Sequence, residues 1–258
     1  MRFHAGLMAV LPVVAPLTPP LAGQLAEPTA KLLLRFDDEH NPAAKERLLL
    51  TLTDQDPEVG PALLRLAQST INVDTRWMAM RGMATLHYIA CAPFLEASLK
   101  ASDKFVRANA ARALGDLQII DASAALLAMF AAEREQPAVE QSSLALRTLG
   151  VKAAAPSIRE KIPRFTGQTR MWLIQALGWL GDTSDVPLLA TYLSEMGCDT
   201  VLPEAIGQLA GVSFGPHPRS GPVGCPTPQT LAVRDWWNSH KGAWPRCDDC
   251  HPSATQSK

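Results

Sequence analysis

The sequence predicts an all-α protein: an α-solenoid of about five to six helix pairs, closed by an irregular C-terminal cap rich in proline, glycine and tryptophan. Three observations carry this. The stretch Val106 to Phe130, VRANAARALGDLQIIDASAALLAMF, reads as one complete helix–turn–helix unit. Its landmarks return roughly every 31 to 32 residues, the scale of a helix-pair repeat. Alanine and leucine abound, there are only 2 tyrosines, and few segments have the β-branched richness of strands.

In the central unit, Asp103 precedes an apolar-periodic run, where its carboxylate can cap orphan backbone N–H groups. Val106, Ala110, Ala113 and Leu114 form an alanine-rich stripe that lets a neighbouring helix approach closely. Gly115-Asp116 is expected to end the helix through a left-handed cap. Asp121 or Ser123 starts a second helix with Leu126, Leu127 and Phe130 on its apolar side. Neither helix is long enough to hold alone, so the pair must stack on neighbours.

The copies follow the same plan. Pro93, Ala124, Pro156 and Pro187 head four second helices; Leu95, Leu126, Ile158 and Leu189 lie two residues on; Leu99, Phe130, Ile162 and Leu193 lie six residues on. Pro61, with Leu63 and Ala67, marks a further copy upstream. The first helices are expected to end comparably at Leu114-Gly115, Leu149-Gly150, Leu177-Gly178 and Ile206-Gly207, with Arg81, Arg112 and Arg147 in one shared column.

Taken along the chain, residues 1–26 resemble an export signal: Arg2, an apolar Leu7–Val14 core, and a small-residue Leu21-Ala22-Gly23 region. The run is too short to span a bilayer, and a disordered or partly packed extension is the alternative. Residues 27–211 form the solenoid. Helices are expected over Thr29–Phe36, Pro42–Thr53, Glu58–Gln68, Val73–Leu86, Pro93–Lys100, the Val106 unit, Glu140–Leu149, Pro156–Ile162, Arg170–Leu180, Val186–Met196 and Val201–Leu209. Residues 212–258 are the cap and tail, with a short helix over Val233–Asn238 whose Trp236 and Trp237 cover the last repeat.

Asp103, Val106, Arg107, Ala110, Ala113, Leu114 and Gly115 match the D-x-x-V-R-x-x-A-x-x-A-L-G core of the HEAT repeat family, and the chain resembles its short bacterial members over residues 42–211. The resemblance implies second helices lining a concave side. It also implies a structural cap at the run from Leu209 to Gly215 leading into Trp-Trp-Asn.

Several function classes are disfavoured. A net charge of −1 with no Lys/Arg-dense stripe argues against nucleic acid as a partner. The helical-repeat hydroxylases carry paired His-Glu dipeptides, and none occurs here. No Ser/His/Asp set, Gly-rich phosphate loop or paired-carboxylate motif stands out. The first expectation is therefore an exported, periplasmic scaffold that binds another protein and has no catalysis or cofactor of its own. Glu96, Lys100, Arg159, Glu160 and Arg164 on second helices are its candidate groove contacts, against a merely solvated charged face.

One chemical motif remains: Cys247-Asp-Asp-Cys250-His251. C-x-x-C-H is the attachment string of c-type haem, in which two thiols add to the vinyl groups and the histidine ligates the iron. His240, His217 or Met196 are then distal-ligand candidates. Two other readings stay open: zinc held by these residues with Cys225 or His240, and a local disulfide. Cys198 and Cys225 are a candidate pair, and Cys91 is read as a buried apolar residue. Trp77, Trp172 and Trp179 are expected to pack in the core or between repeats.

Overall fold

The computed structural model describes residues 27–195, 200–215 and 226–244. Among these there are thirteen α-helices and no strand. They are α1 (Glu27–Asp38), α2 (Pro42–Gln55), α3 (Gly60–Ser69), α4 (Val73–Thr85), α5 (Ala92–Ser98), α6 (Lys104–Asp116), α7 (Ser123–Ala132), α8 (Gln136–Thr148), α9 (Ala155–Lys161), α10 (Gly167–Leu180), α11 (Val186–Ala190), α12 (Val201–Ala210) and α13 (Pro228–His240). First helices α2, α4, α6, α8, α10 and α12 pack in sequence, one on the next, and each second helix packs on the first helix that follows it. The architecture is an all-α, solenoid-like stack of helix pairs.

The sequence landmarks map onto this stack. Leu63, Leu95, Leu126, Ile158 and Leu189 are all fully buried, and the column six residues into each second helix, Leu99, Phe130, Ile162 and Leu193, is buried too. Prolines stand in the first turn of α3, α5, α9 and α11, where the missing N–H costs nothing. Asn41, Asn72 and Asp103 cap α2, α4 and α6, their side-chain oxygens accepting N–H bonds from Ala44 (3.0 Å), Asp74 (2.9 Å) and Phe105 (2.8 Å).

Helix ends differ from the expectation in one instructive way. Gly115 does not cap α6; it lies inside the helix, and the left-handed residue is Gln118, at φ 54°. His87 (φ 51°), Gly150 (φ 67°) and Gly211 (φ 69°) are its counterparts. At the first three of these turns the backbone closes identically: Tyr88 N–H donates to Met83 O, Ile119 to Leu114 O and Val151 to Leu146 O. The left-handed residue bonds three positions back, which is the Schellman arrangement. Aligned on these caps, Leu114-Gly115 corresponds to Met83-Ala84 and Leu146-Arg147. Arg147 therefore leaves the column of Arg81 and Arg112, and Leu144 occupies it.

Boundaries also shift. α8 begins four residues before Glu140, opened by a proline in its first turn. α11 is short and passes into a 3-10 turn over Thr191–Ser194. α13 is a thirteen-residue helix rather than a short one, because Thr227 caps it and Pro228 opens it.

A second regularity links successive helices. Each second-layer helix has its C-terminal carbonyls held by one cation from a later helix. Lys45 reaches Asp37 O (3.4 Å) at the end of α1. Arg76 donates to Ala67 O and Thr70 O (2.6 Å for the latter) after α3. Arg107 donates to Ala101 O and Ser102 O after α5. Lys161 serves α7 through Ala131 O and Glu133 O (2.7 Å), Arg170 serves the segment after α9 through Phe165 O, and Arg234 of α13 serves the segment after α11 through Leu193 O (2.6 Å). The carbonyl end of a helix is its negative pole, so a cation there satisfies orphan acceptors and the dipole together.

Candidate functional site

The sequence-predicted contacts lie on two second helices. Glu96 is on α5 with Lys100 just beyond its end; Arg159 and Glu160 are on α9, and Arg164 is in the 3-10 turn that continues it. α7 stands between them in chain order. It reads SAALLAMFAA, and its exposed positions Ala124, Ala128, Ala131 and Ala132 offer no hydrogen-bonding side chain. α5 adds exposed Pro93 and Ala97 in matching positions, and α9 adds exposed Pro156. The second-helix face at mid-stack is thus a low, mostly apolar floor edged by charge.

The charged residues divide by what they already hold. Arg159 forks onto Asp185, which is only 2% exposed, and lies 3.5 Å from Asp182. Its guanidinium is held above its ordinary range, chiefly by the hydrogen bonds it donates to Asp185. Asp185 also accepts the N–H of Asp182, and Asp182 accepts that of Ser184, so Arg159 ties α9 to the turn entering α11. Arg164 pairs with Glu160 at 2.6 Å along the same helix face. The side chains of Glu96 and Lys100 make no hydrogen bond or ion pair among the described residues.

A buried polar node sits beneath this face. Glu133 takes both oxygens to Arg107 (2.7 and 3.0 Å) and accepts the N–H groups of Arg134 and Glu135. Burial pushes its carboxyl up, but the Arg107 fork and the two backbone donors outweigh this and hold it below the usual range. Lys161, 5% exposed, lies over the Phe130 ring with its nitrogen 5.2 Å from the centroid, and burial pushes its ammonium down.

At the C-terminal end, α13 places Trp236 within 5.6 Å of Phe214 and 6.4 Å of Trp244, with the His240 ring stacked on Trp236 at 5.1 Å. Trp237 closes the group at 6.4–6.5 Å from the other two tryptophans. Phe214 and the three tryptophans are half-buried and pack on the core, while His240 is exposed. Cys247, Cys250 and His251, with Cys198, Cys225, His217 and Met196, lie outside the described residues.

Other readings sort plainly. Cys91 is fully buried and burial pushes its thiol up to about 11, an inert state. Trp77 packs on the core and donates to Asp74 Oδ1. Trp179 corrects the expectation: it is 53% exposed, because it occupies the outward position held by Thr85, Asp116 and Thr148 in the other repeats. The residues that sequence reading missed are the cations that hold the helix ends. Arg76, Arg107 and Arg170 recur at repeat spacing and were a findable signal; Val139 interrupts the column, and Lys161 takes over from another helix.

Compared with protein-family models and with the curated proteins, the chain matches none.

Proposed function

We propose that this chain is a HEAT-type scaffold that binds another protein through its second-helix face, in an exported, periplasmic setting, without chemistry of its own. The observation that supports it most is the floor over α5, α7 and α9: apolar, low and exposed, with Glu96 and Lys100 uncommitted beside it. A small-residue floor lets a partner's backbone approach closely, and unpaired rim charges select it. The test is a photo-crosslinking residue at Ala128, compared with one at Thr148 on the first-helix side, in the native cell. A discrete adduct from Ala128 that Thr148 lacks, weakened by Glu96→Lys, is expected. No adduct, or the same adduct from both positions, rejects the surface. Intact mass of the mature protein tests leader removal.

A second reading is electron transfer with a c-type haem on Cys247 and Cys250 and His251 as iron ligand. What favours it is the half-exposed group of Phe214, Trp236, Trp237 and Trp244, which ends three residues short of Cys247 in the chain and offers apolar cover for a flat group. Protein purified from cells competent in cytochrome c maturation should then give a pyridine haemochrome spectrum. The lack of a covalent haem band under those conditions discards this reading.

A further inference from the structure

We infer that the chain pairs with a second copy of itself, edge to edge, about a two-fold axis passing beside Ile71. The edge in question is the one where each second-layer helix hands over to the next first helix. Three successive turns on it are capped by Asn41, Asn72 and Asp103, so positions counted from these caps are related by the repeat. In the middle turn Ile71 is 97% exposed, an isolated apolar side chain beside a depression of 830 Å³ lined also by Asp37, Asp38, His40 and Thr70. Three residues before the outer caps stand Asp38 on one side and Lys100 on the other; the middle turn has Ser69 there. Both Asp38 and Lys100 are exposed, and neither side chain makes a hydrogen bond or ion pair among the described residues, Asp38 feeling only the weak field of Lys45.

Their neighbours are already committed. Asp37 accepts from the Thr70 hydroxyl, Glu39 accepts two backbone N–H groups, Asp103 caps α6 and Lys104 pairs with Glu135. The edge therefore presents one free acid, one apolar knob and one free base, at consecutive repeats. This order is self-complementary. A two-fold axis at the knob sets Ile71 against its own copy and Asp38 of each chain against Lys100 of the other, twice over. Any single-sign partner would satisfy one charge and oppose the other, whereas a second copy satisfies both.

Sedimentation of the full chain at low and high ionic strength tests this. Wild type is expected to dimerise at low salt and to dissociate at high salt, where exposed charges are screened. Asp38→Lys and Lys100→Glu each place like charges together twice, and each should weaken dimerisation by about tenfold or more. The double variant Asp38→Lys/Lys100→Glu swaps the two ends of the edge and should dimerise as wild type does. Circular dichroism confirms the fold of each variant. A monomeric wild type at low salt overturns the inference. So does a dimer indifferent to the single changes, or a double variant that stays monomeric.

Discussion

Gly115 of α6 lies against Ala145 of α8 so closely that a β-carbon on Gly115 would sit 2.8 Å from the Ala145 Cα and 2.9 Å from its Cβ. Gly178 of α10 meets Ala205 of α12 in the same way, at 2.8 Å. The glycine that a sequence reader assigns to the helix end is in fact what sets the spacing between first helices.

This gives a test with two opposing effects. Gly115→Ala gains about 1 kcal/mol of helix propensity. It also drives a methyl group into backbone that cannot yield as a flexible side chain would, and overpacking of that kind costs about 1–3 kcal/mol. The clash should win. Urea unfolding is expected to show Gly115→Ala less stable than wild type by up to about 2 kcal/mol, with Gly178→Ala behaving alike. A stabilised Gly115→Ala would show that the contact relaxes freely.

The left-handed turns make the opposite prediction. Gln118 and His87 carry β-carbons at φ 54° and 51°, a conformation in which only glycine is unstrained. Gln118→Gly should raise stability by about 0.5–1 kcal/mol, less whatever the freer unfolded chain takes back. Gly150→Ala is the converse. A β-carbon there meets nothing within 4 Å, yet φ is 67°, so about 1 kcal/mol of stability should be lost to backbone strain alone. Thermal melts of the pair separate conformational strain from packing.

The two glycines show what could be read beforehand. Hydrophobic columns were legible because burial repeats with the helix pair: Leu95, Leu126, Ile158 and Leu189 had no alternative explanation. The role of Gly115 was not, because a cap and a close helix crossing both select glycine, and only the backbone path distinguishes them. Arg147 slipped by three residues for a related reason. An apolar residue followed by glycine occurs at both Leu114-Gly115 and Leu149-Gly150, but one pair is inside its helix and the other is at the turn. Arg159 looked like surface charge in sequence; its partner Asp185 lies in another repeat, and a long-range pair leaves no local trace. Of the candidate face, the apolar α7 was plain in the sequence, while the distinction between committed Arg159 and uncommitted Lys100 needed the fold.

Acid should unfold the protein partly through Glu133. Its carboxyl is held below the ordinary value of 4.5 in the folded chain, by Arg107 and two backbone N–H donors acting against burial. The unfolded chain then binds a proton more readily than the folded one, so stability rises with pH across that window. The contribution is complete above the ordinary carboxylate range and is lost as pH falls through the depressed folded value. Glu133→Gln removes this component. Wild type should therefore lose more stability than Glu133→Gln between neutral pH and about pH 3, while at neutral pH the variant is the weaker, because Arg107 loses its charged partner. Equal slopes for the two proteins would exclude Glu133 as a source of the acid dependence.

Arg234 carries the last argument. The series of cations at helix ends runs Lys45, Arg76, Arg107, Lys161, Arg170 and Arg234, and α12 supplies none of them. The end of the final second helix is instead held from α13, by Nε at 3.1 Å and Nη2 at 2.6 Å on the same Leu193 carbonyl. Val233 beside it is fully buried, as Val106 beside Arg107 nearly is, so α13 docks by the device the repeats use among themselves. Arg234→Met keeps much of the aliphatic stem but removes both hydrogen bonds and the charge at the negative helix pole. That should cost about 1–2 kcal/mol, and the loss should be local. Hydrogen exchange is the suitable measurement: amides of α13 should lose protection while those of α6 and α8 keep theirs. Arg234→Lys restores a point charge without the fork and should recover only part of the protection. If Arg234→Met leaves α13 as protected as wild type, burial of Val233 and the tryptophans alone holds the cap in place.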